Sequence, residues 1–204
     1  MTKISDVLDV SEEVLERHVK GTIELYKVTG EDDAFEKDSK AVLSSTYPTT
    51  TIRKIIDFIS RKMDPKQKSD IRGSFAITGT YGTGKSHILT ALYHIFNDPT
   101  MAKKWLEDNS MSPDLLPTFP HTVVMPMLNL KKRYKFLWEP IYEELGKEDL
   151  LKEIGDFPTV DDIKSLVGTG TVVLLIDEIE KWYGAIPSED APRRTANLAF
   201  LQNL

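Results

Sequence analysis

Apolar residues recur at intervals of three and four along most of this chain and gather into tight runs in only three places; that contrast sets the first expectation of its architecture. Residues 5–27 hold apolar or half-apolar positions at Val14, Leu15, His18, Val19, Ile23 and Leu25 in "SEEVLERHVKGTIELY", which predicts one or two helices. The polar, acidic stretch "TGEDDAFEKDSKAV" after it reads as a solvated connector. In "TYPTTTIRKIIDFISRKMD", Pro48 and a threonine cluster precede Ile52, Ile55, Ile56, Ile59 and Met63. That spacing predicts an amphipathic helix with Thr49 or Thr50 as its N-cap. Arg53, Lys54, Arg61 and Lys62 then form its wet face, with a nucleic-acid patch as the competing reading.

The three tight runs are "SFAIT" at 74–78, "HTVVMPMLNL" at 121–130 and "TVVLLI" at 171–176, each of a length and character suited to a buried parallel strand. Pro126 marks a bulge or an early end in the second. Between the first two lie Ile88, Leu89, Leu92, Ile95 and Phe96 at helical spacing, then a proline-rich excursion with one short helix. Between the second and third, "YKFLWEPIYEELGKEDLLKEIG" and "TVDDIKSLV" read as helices, broken at Pro140 and Gly146. The chain closes on the amphipathic "RRTANLAFLQNL". Helices followed by β, α, β, α, β predict an α/β fold, a parallel sheet flanked by helices. The expected division is a helical N-terminal extension with its acidic connector at 1–50 and a sheet-containing core at 51–204. No internal repeat is visible.

Composition narrows the chemistry. The 204 residues are 40% hydrophobic and 28% charged, enough for one well-filled domain with an appendage. No apolar run approaches the roughly 20 residues that span a bilayer, and the N-terminus lacks the apolar core of a secretory signal, so the cytoplasm is the expected compartment, with no membrane partner. Without a cysteine there is no disulfide framework and no thiolate metal site. His18, His87, His94 and His121 are scattered rather than set at zinc-binding spacing. A formal charge of −6 excludes a wholly basic nucleic-acid coat.

The first apolar run leads into "GTYGTGKS", which meets the pattern G-x-x-x-x-G-K-[ST] at Gly79, Gly84, Lys85 and Ser86. Glycines let successive N–H groups curl inward as a nest for phosphate oxygens, beside a helix N-terminus whose dipole favours negative charge. Thr80, Tyr81, Gly82, Thr83 and His87 complete the expected nucleotide-binding stretch. Lys85 is expected on the β- and γ-phosphates and Ser86 on Mg²⁺. Composition alone yields the four fixed positions in roughly one chain in a hundred of this size. The third run ends in Asp177 and Glu178, which places two carboxylates at the carboxyl end of a strand, where ligands of α/β sheets sit. Asp177 is the expected metal holder, and Glu178 the residue that accepts a proton from the attacking water or orients it. A helix-capping role is the plainer reading of the pair. Arg193 and Arg194, after Pro192, are candidates for a charge-neutralising finger against the plainer reading of a solvated first turn. Trp105, Trp138 and Trp182 are expected as core or partner-facing anchors.

The segments "FEKDSKAVLSSTYPTTTIRKIIDFI", "GSFAITGTYGTGKSHILTALYHIF" and "VVLLIDEIEKWY" together resemble the N-terminal part of large bacterial and archaeal AAA-like ATPases, long catalogued as a domain of unknown function. These are related to the big ATPases of BREX and Pgl phage-exclusion loci. "TYPTT" and "ALYH" carry the group-specific part of the resemblance, which covers about residues 35–204. It implies a P-loop NTPase fold of the branch with an extra strand and a catalytic glutamate, incomplete here at its C-terminal side. It also implies ATP and Mg²⁺ as cofactors, a multidomain protein, and self-association or assembly with other proteins, with DNA reached through partners or further domains. In AAA+ ATPases a polar residue at the end of the middle strand can hold the catalytic glutamate inactive, which makes Asn129 the candidate switch, against its plainer reading as a turn former.

Four readings of function follow. The leading one is an ATP-hydrolysing motor or switch with Lys85 and Glu178 as catalytic residues. A GTPase or nucleotide kinase is less well supported, because no N-K-x-D element for guanine selection is present. A third is a scaffold or sensor that binds ATP and barely turns it over. A fourth is a DNA-binding module that uses Arg53, Lys54, Arg61 and Lys62.

Overall fold

The computed structural model describes residues 22–30, 33–63, 74, 76–116, 121–126, 134–168 and 172–204. Among these, helices dominate. Short 3₁₀ turns at Leu25–Thr29 and Phe35–Lys37 lead into α1 (Ser39–Ser44), α2 (Thr50–Met63), α3 (Lys85–Asn97) and α4 (Pro99–Asp108). Then come β1 (His121–Pro126), α5 (Glu139–Glu144), α6 (Val160–Val167), β2 (Val172–Asp177), α7 (Ile179–Gly184) and α8 (Ala191–Asn203).

Local chemistry accounts for the helix starts. Thr49 caps α2, accepting the Ile52 N–H on its hydroxyl at 3.3 Å, and Ile52, Ile55, Ile56 and Ile59 bury the predicted face. Asp38 caps α1 by accepting the N–H groups of Lys40 and Ala41, and Asp98 caps α4 by accepting that of Met101. The two helix starts are joined where the hydroxyl of Ser39, the first residue of α1, donates to Asp98 at 2.6 Å. Thr159 and Asp162 form a reciprocal capping box on α6.

The expected parallel sheet of a P-loop nucleotidase is not what these residues form. Among the described residues the β-structure is one parallel pair, β1 with β2, in register from His121 opposite Val172 to Pro126 opposite Asp177. The described part of 74–78, where a first strand was expected, has no regular secondary structure. A strand exists only where a ladder partner takes up its backbone groups. Here β1 and β2 pair with each other, while among the described residues of 74–78 Ala76 and Thr78 are exposed and Ile77 packs against the core. Two further expectations change. The acidic connector is not a solvated loop, since Ala34 and Glu36 are buried and α1 begins within it. Pro140 does not break a helix but stands in the first turn of α5, where its missing N–H costs nothing. The expected helix over 5–27 lies largely outside the described residues; the described part forms the 3₁₀ turn at Leu25–Thr29.

β2 divides the molecule's interior. Val173 and Leu175 face a core built by α1 to α4, with Val42, Leu43, Ile56, Leu92, Ile95, Phe96 and Leu106. Val172, Leu174 and Ile176 face a second core built by α5 to α8, around Leu137, Trp138, Ile141, Tyr142 and Phe200. Period-two alternation along one strand thus sends consecutive side chains into different cores. All three tryptophans are core residues. Among the described residues no helix is long and apolar enough to cross a membrane.

Candidate functional site

The sequence 79–86 folds as a tight turn into the N-terminus of α3. Gly82 and Gly84 have φ of +80° and +79°, the left-handed region that an L side chain enters only with strain. Gly84 is the N-cap, and the Ile88 N–H makes the first intrahelical bond, to the Gly84 carbonyl at 2.9 Å. The N–H groups of Lys85, Ser86 and His87 therefore lie ahead of the helical ladder, at the positive end of a 13-residue helix. Gly79 is required for a different reason. A Cβ there would come within 2.8 Å of the Thr83 hydroxyl, which donates to the Thr80 carbonyl at 2.9 Å. The Lys85 ammonium folds back over the turn and donates to the carbonyls of Gly79 at 2.9 Å and Thr80 at 2.8 Å. Tyr81 stands at the tip, 86% exposed.

Asp177 is the last residue of β2, and its carboxylate accepts the N–H of Glu178 at 3.0 Å. Glu178 is the N-cap of α7 and holds φ of 56°, one of two non-glycine residues with positive φ among those described. Such a backbone costs on the order of 1 kcal/mol and persists only where the surroundings impose it. The Glu178 carboxylate pairs with Lys181, one turn along α7, at 2.7 Å. That hydrogen bond, with smaller contributions from Tyr81 and Asp177, raises Lys181 above the ordinary lysine value. α3 packs directly on both β1 and β2, which fixes the distance between the turn and the strand end.

Other expected residues fall elsewhere. Asn129 lies outside the described residues. Arg193 donates from Nε to the Lys135 carbonyl at 2.7 Å and lies over Trp182, so it clamps the chain before α5 rather than standing free as a finger. Arg194 stacks on Tyr183 at 4.9 Å. Of the four basic positions on α2, Arg53 donates to the Pro48 carbonyl and Arg61 pairs with Asp57 at 2.7 Å. Among the described residues no cluster of three or more His, Asp or Glu is arranged to hold a metal by itself.

Two residues that sequence reasoning did not single out belong to this neighbourhood. Lys181 had one available signal, its position three residues after Glu178 on a helix. Thr46, inside "TYPTT", accepts a hydrogen bond from the His87 ring at 2.7 Å, and no local pattern points to that contact across 41 residues.

The family model described as DUF499 N-terminal domain matches residues 3–115, a span that contains the glycine turn, α3 and Thr46 and stops before Asp177 and Glu178. No curated protein and no solved structure gives a match.

Proposed function

We propose that this chain, which belongs to the DUF499 N-terminal domain family, binds ATP with Mg²⁺ at residues 79–86 and hydrolyses it, acting as a motor or switch within a larger cytoplasmic assembly. The observation that carries the reading is the glycine turn itself, with Gly82 and Gly84 in the left-handed region leading into α3, whose packing on β1 and β2 ties it to the strand that ends in Asp177 and Glu178. The donor set suits polyphosphate: two left-handed glycines, three N–H groups ahead of the helical ladder, and a lysine whose present partners are carbonyls rather than a carboxylate. Lys85 exchanging two neutral acceptors for phosphate oxygens gains charge-assisted hydrogen bonds. Ser86 and Asp177 are the residues that would hold Mg²⁺, which when bound supplies positive charge against the phosphate oxygens. Glu178 is the general base or water-orienting group. Kinship with the ATPases of phage-exclusion loci rests on "TYPTT" and "ALYH" and would make DNA-processing proteins the partners.

A second reading, an ATP-binding sensor with little turnover, is favoured by one specific contact. One Glu178 carboxylate oxygen is paired with Lys181, which competes with its action on water. Calorimetric titration of Mg·ATP and Mg·GTP, followed by a phosphate-release assay, tests both. ATP is expected to bind in preference to GTP, and Lys85→Ala to weaken binding at least about a hundredfold, since several charge-assisted contacts are lost together. Glu178→Gln is expected to keep binding and abolish hydrolysis. Equal binding by Lys85→Ala would overturn the site; binding without hydrolysis in the native chain would select the sensor.

A further inference from the structure

The hydroxyl of Thr46 joins two elements far apart in sequence, and its single proton decides how. Thr46 is 4% exposed, and its Oγ1 lies 2.7 Å from the Val42 carbonyl and 2.7 Å from His87 Nε2. A carbonyl accepts only, so the hydroxyl proton goes to Val42. The oxygen that remains must accept from the ring, which therefore carries its proton on Nε2. The Thr46 carbonyl meanwhile accepts the Trp105 indole N–H at 2.9 Å. One residue thus ties the C-terminal end of α1, the first turn of α3 and the middle of α4.

His87 immediately follows Lys85 and Ser86, and its own N–H is the last of the three ahead of the helical ladder. The orientation of those three donors is set by how the first turn of α3 is seated. That seat is made by the ring of His87 on Thr46, together with the Thr90 hydroxyl donating to the Ser86 carbonyl at 2.9 Å.

We propose that Thr46 is a positioning residue of the phosphate site: through its hydrogen bond to His87 it seats the turn that presents the Lys85, Ser86 and His87 N–H groups to the nucleotide. The inference rests on the ATP-binding reading and adds to it a specific residue outside the glycine turn. It assigns a physical task to "TYPTT", whose tyrosine is exposed and whose first threonine is the buried one.

The test compares Thr46→Val, which keeps the shape and removes the hydroxyl, with Thr46→Ser, which keeps the hydroxyl. Trp105→Phe removes another bond of the same hub without touching His87. Calorimetry with Mg·ATP is expected to show about tenfold weaker binding for Thr46→Val, the scale of one lost hydrogen bond. Thr46→Ser should stay within about twofold of the native chain on the same scale. Trp105→Phe should lower the thermal midpoint with affinity unchanged. Nitrogen NMR of the native chain is expected to show a proton on His87 Nε2, a readout that needs neither a variant nor a nucleotide. A ring protonated on Nδ1 alone, or equal ATP affinity in Thr46→Val, overturns the proposal. Equal weakening by Trp105→Phe also overturns it, because the effect would then be general loosening. A native chain with the Nε2–H ring that binds no Mg·ATP overturns the ATP reading instead, and leaves the contact as a feature of folding.

Discussion

The two cores on either side of β2 are held by different means. The core of α1 to α4 carries buried polar groups: Thr46, Thr90, His94 and the Glu36 carboxylate. Its hydrogen bonds run between elements, from the His94 ring to the Glu36 carbonyl at 2.7 Å, from Trp105 to Thr46, and from the Glu24 N–H to Glu36 at 3.1 Å. The core of α5 to α8 is held chiefly by aromatic and aliphatic packing. Phe136 stacks on Trp138 at 4.4 Å, and Trp138 meets Phe200 edge-on at 5.5 Å. Its buried polar residue, Asn197, accepts the Leu137 N–H and donates to the Arg193 carbonyl. Apolar packing is non-directional and tolerates small shifts, whereas a buried hydrogen bond fixes an orientation. The directional network lies in the core that carries α3 and the glycine turn before it.

Phe200→Ala should widen this contrast most. It removes a fully buried ring from the apolar core and should destabilise the chain by about 3–5 kcal/mol in urea unfolding, with the glycine turn unaffected. A loss below about 1 kcal/mol would mean that this core is loosely packed. In the other region, Gly84→Ala should cost about 1–2 kcal/mol, because φ of +79° strains an alanine even though no atom stands within 4 Å of its Cβ. Gly79→Ala should fail for the opposite reason, contact with Thr83, so adding Thr83→Ala should recover most of its loss while doing nothing for Gly84→Ala. If Thr83→Ala rescued both variants, strain would not be what fixes Gly84.

The smallest effect expected is on pH dependence. Burial lowers His87 and His94 below the ordinary value of 6.5, so below that pH the unfolded chain binds more protons than the folded one. Stability should therefore be complete above about pH 6.5 and decline as pH falls toward the folded values. Asp98 is also lowered, chiefly by the Ser39 hydroxyl and the Met101 N–H, so its contribution is present above 3.8 and is lost as pH falls through its folded value. Thermal midpoints measured from pH 7 to 3 should fall in two stages, and His94→Gln should flatten the upper one. An unchanged upper stage in His94→Gln would assign it to other groups.

How much could be read in advance depended on the range of the interactions. The α2 face, its Thr49 cap, the α6 helix and the strand ending at Asp177 were legible, because each depends on residues within one or two turns of each other. The glycine pattern was legible for the same reason, and its positive φ values match the turn it predicts. The multi-stranded sheet was not, since whether "SFAIT" becomes a strand depends on a ladder partner, and β1 and β2 are paired with each other. Glu36 was misread from its acidic neighbours, because its burial is decided by helices 58 residues away that place His94 over its carbonyl.

By itself, then, the sequence determined the α2 helix with its buried face and cap, the strand ending at Asp177 and the glycine turn before α3, all through contacts between near neighbours in the chain. Tertiary structure alone decided which strands pair, that β2 feeds two cores, and that the His87 ring meets Thr46. Those outcomes depend on contacts across tens of residues, and no local pattern encodes them, because the free energy that selects them belongs to the packed whole.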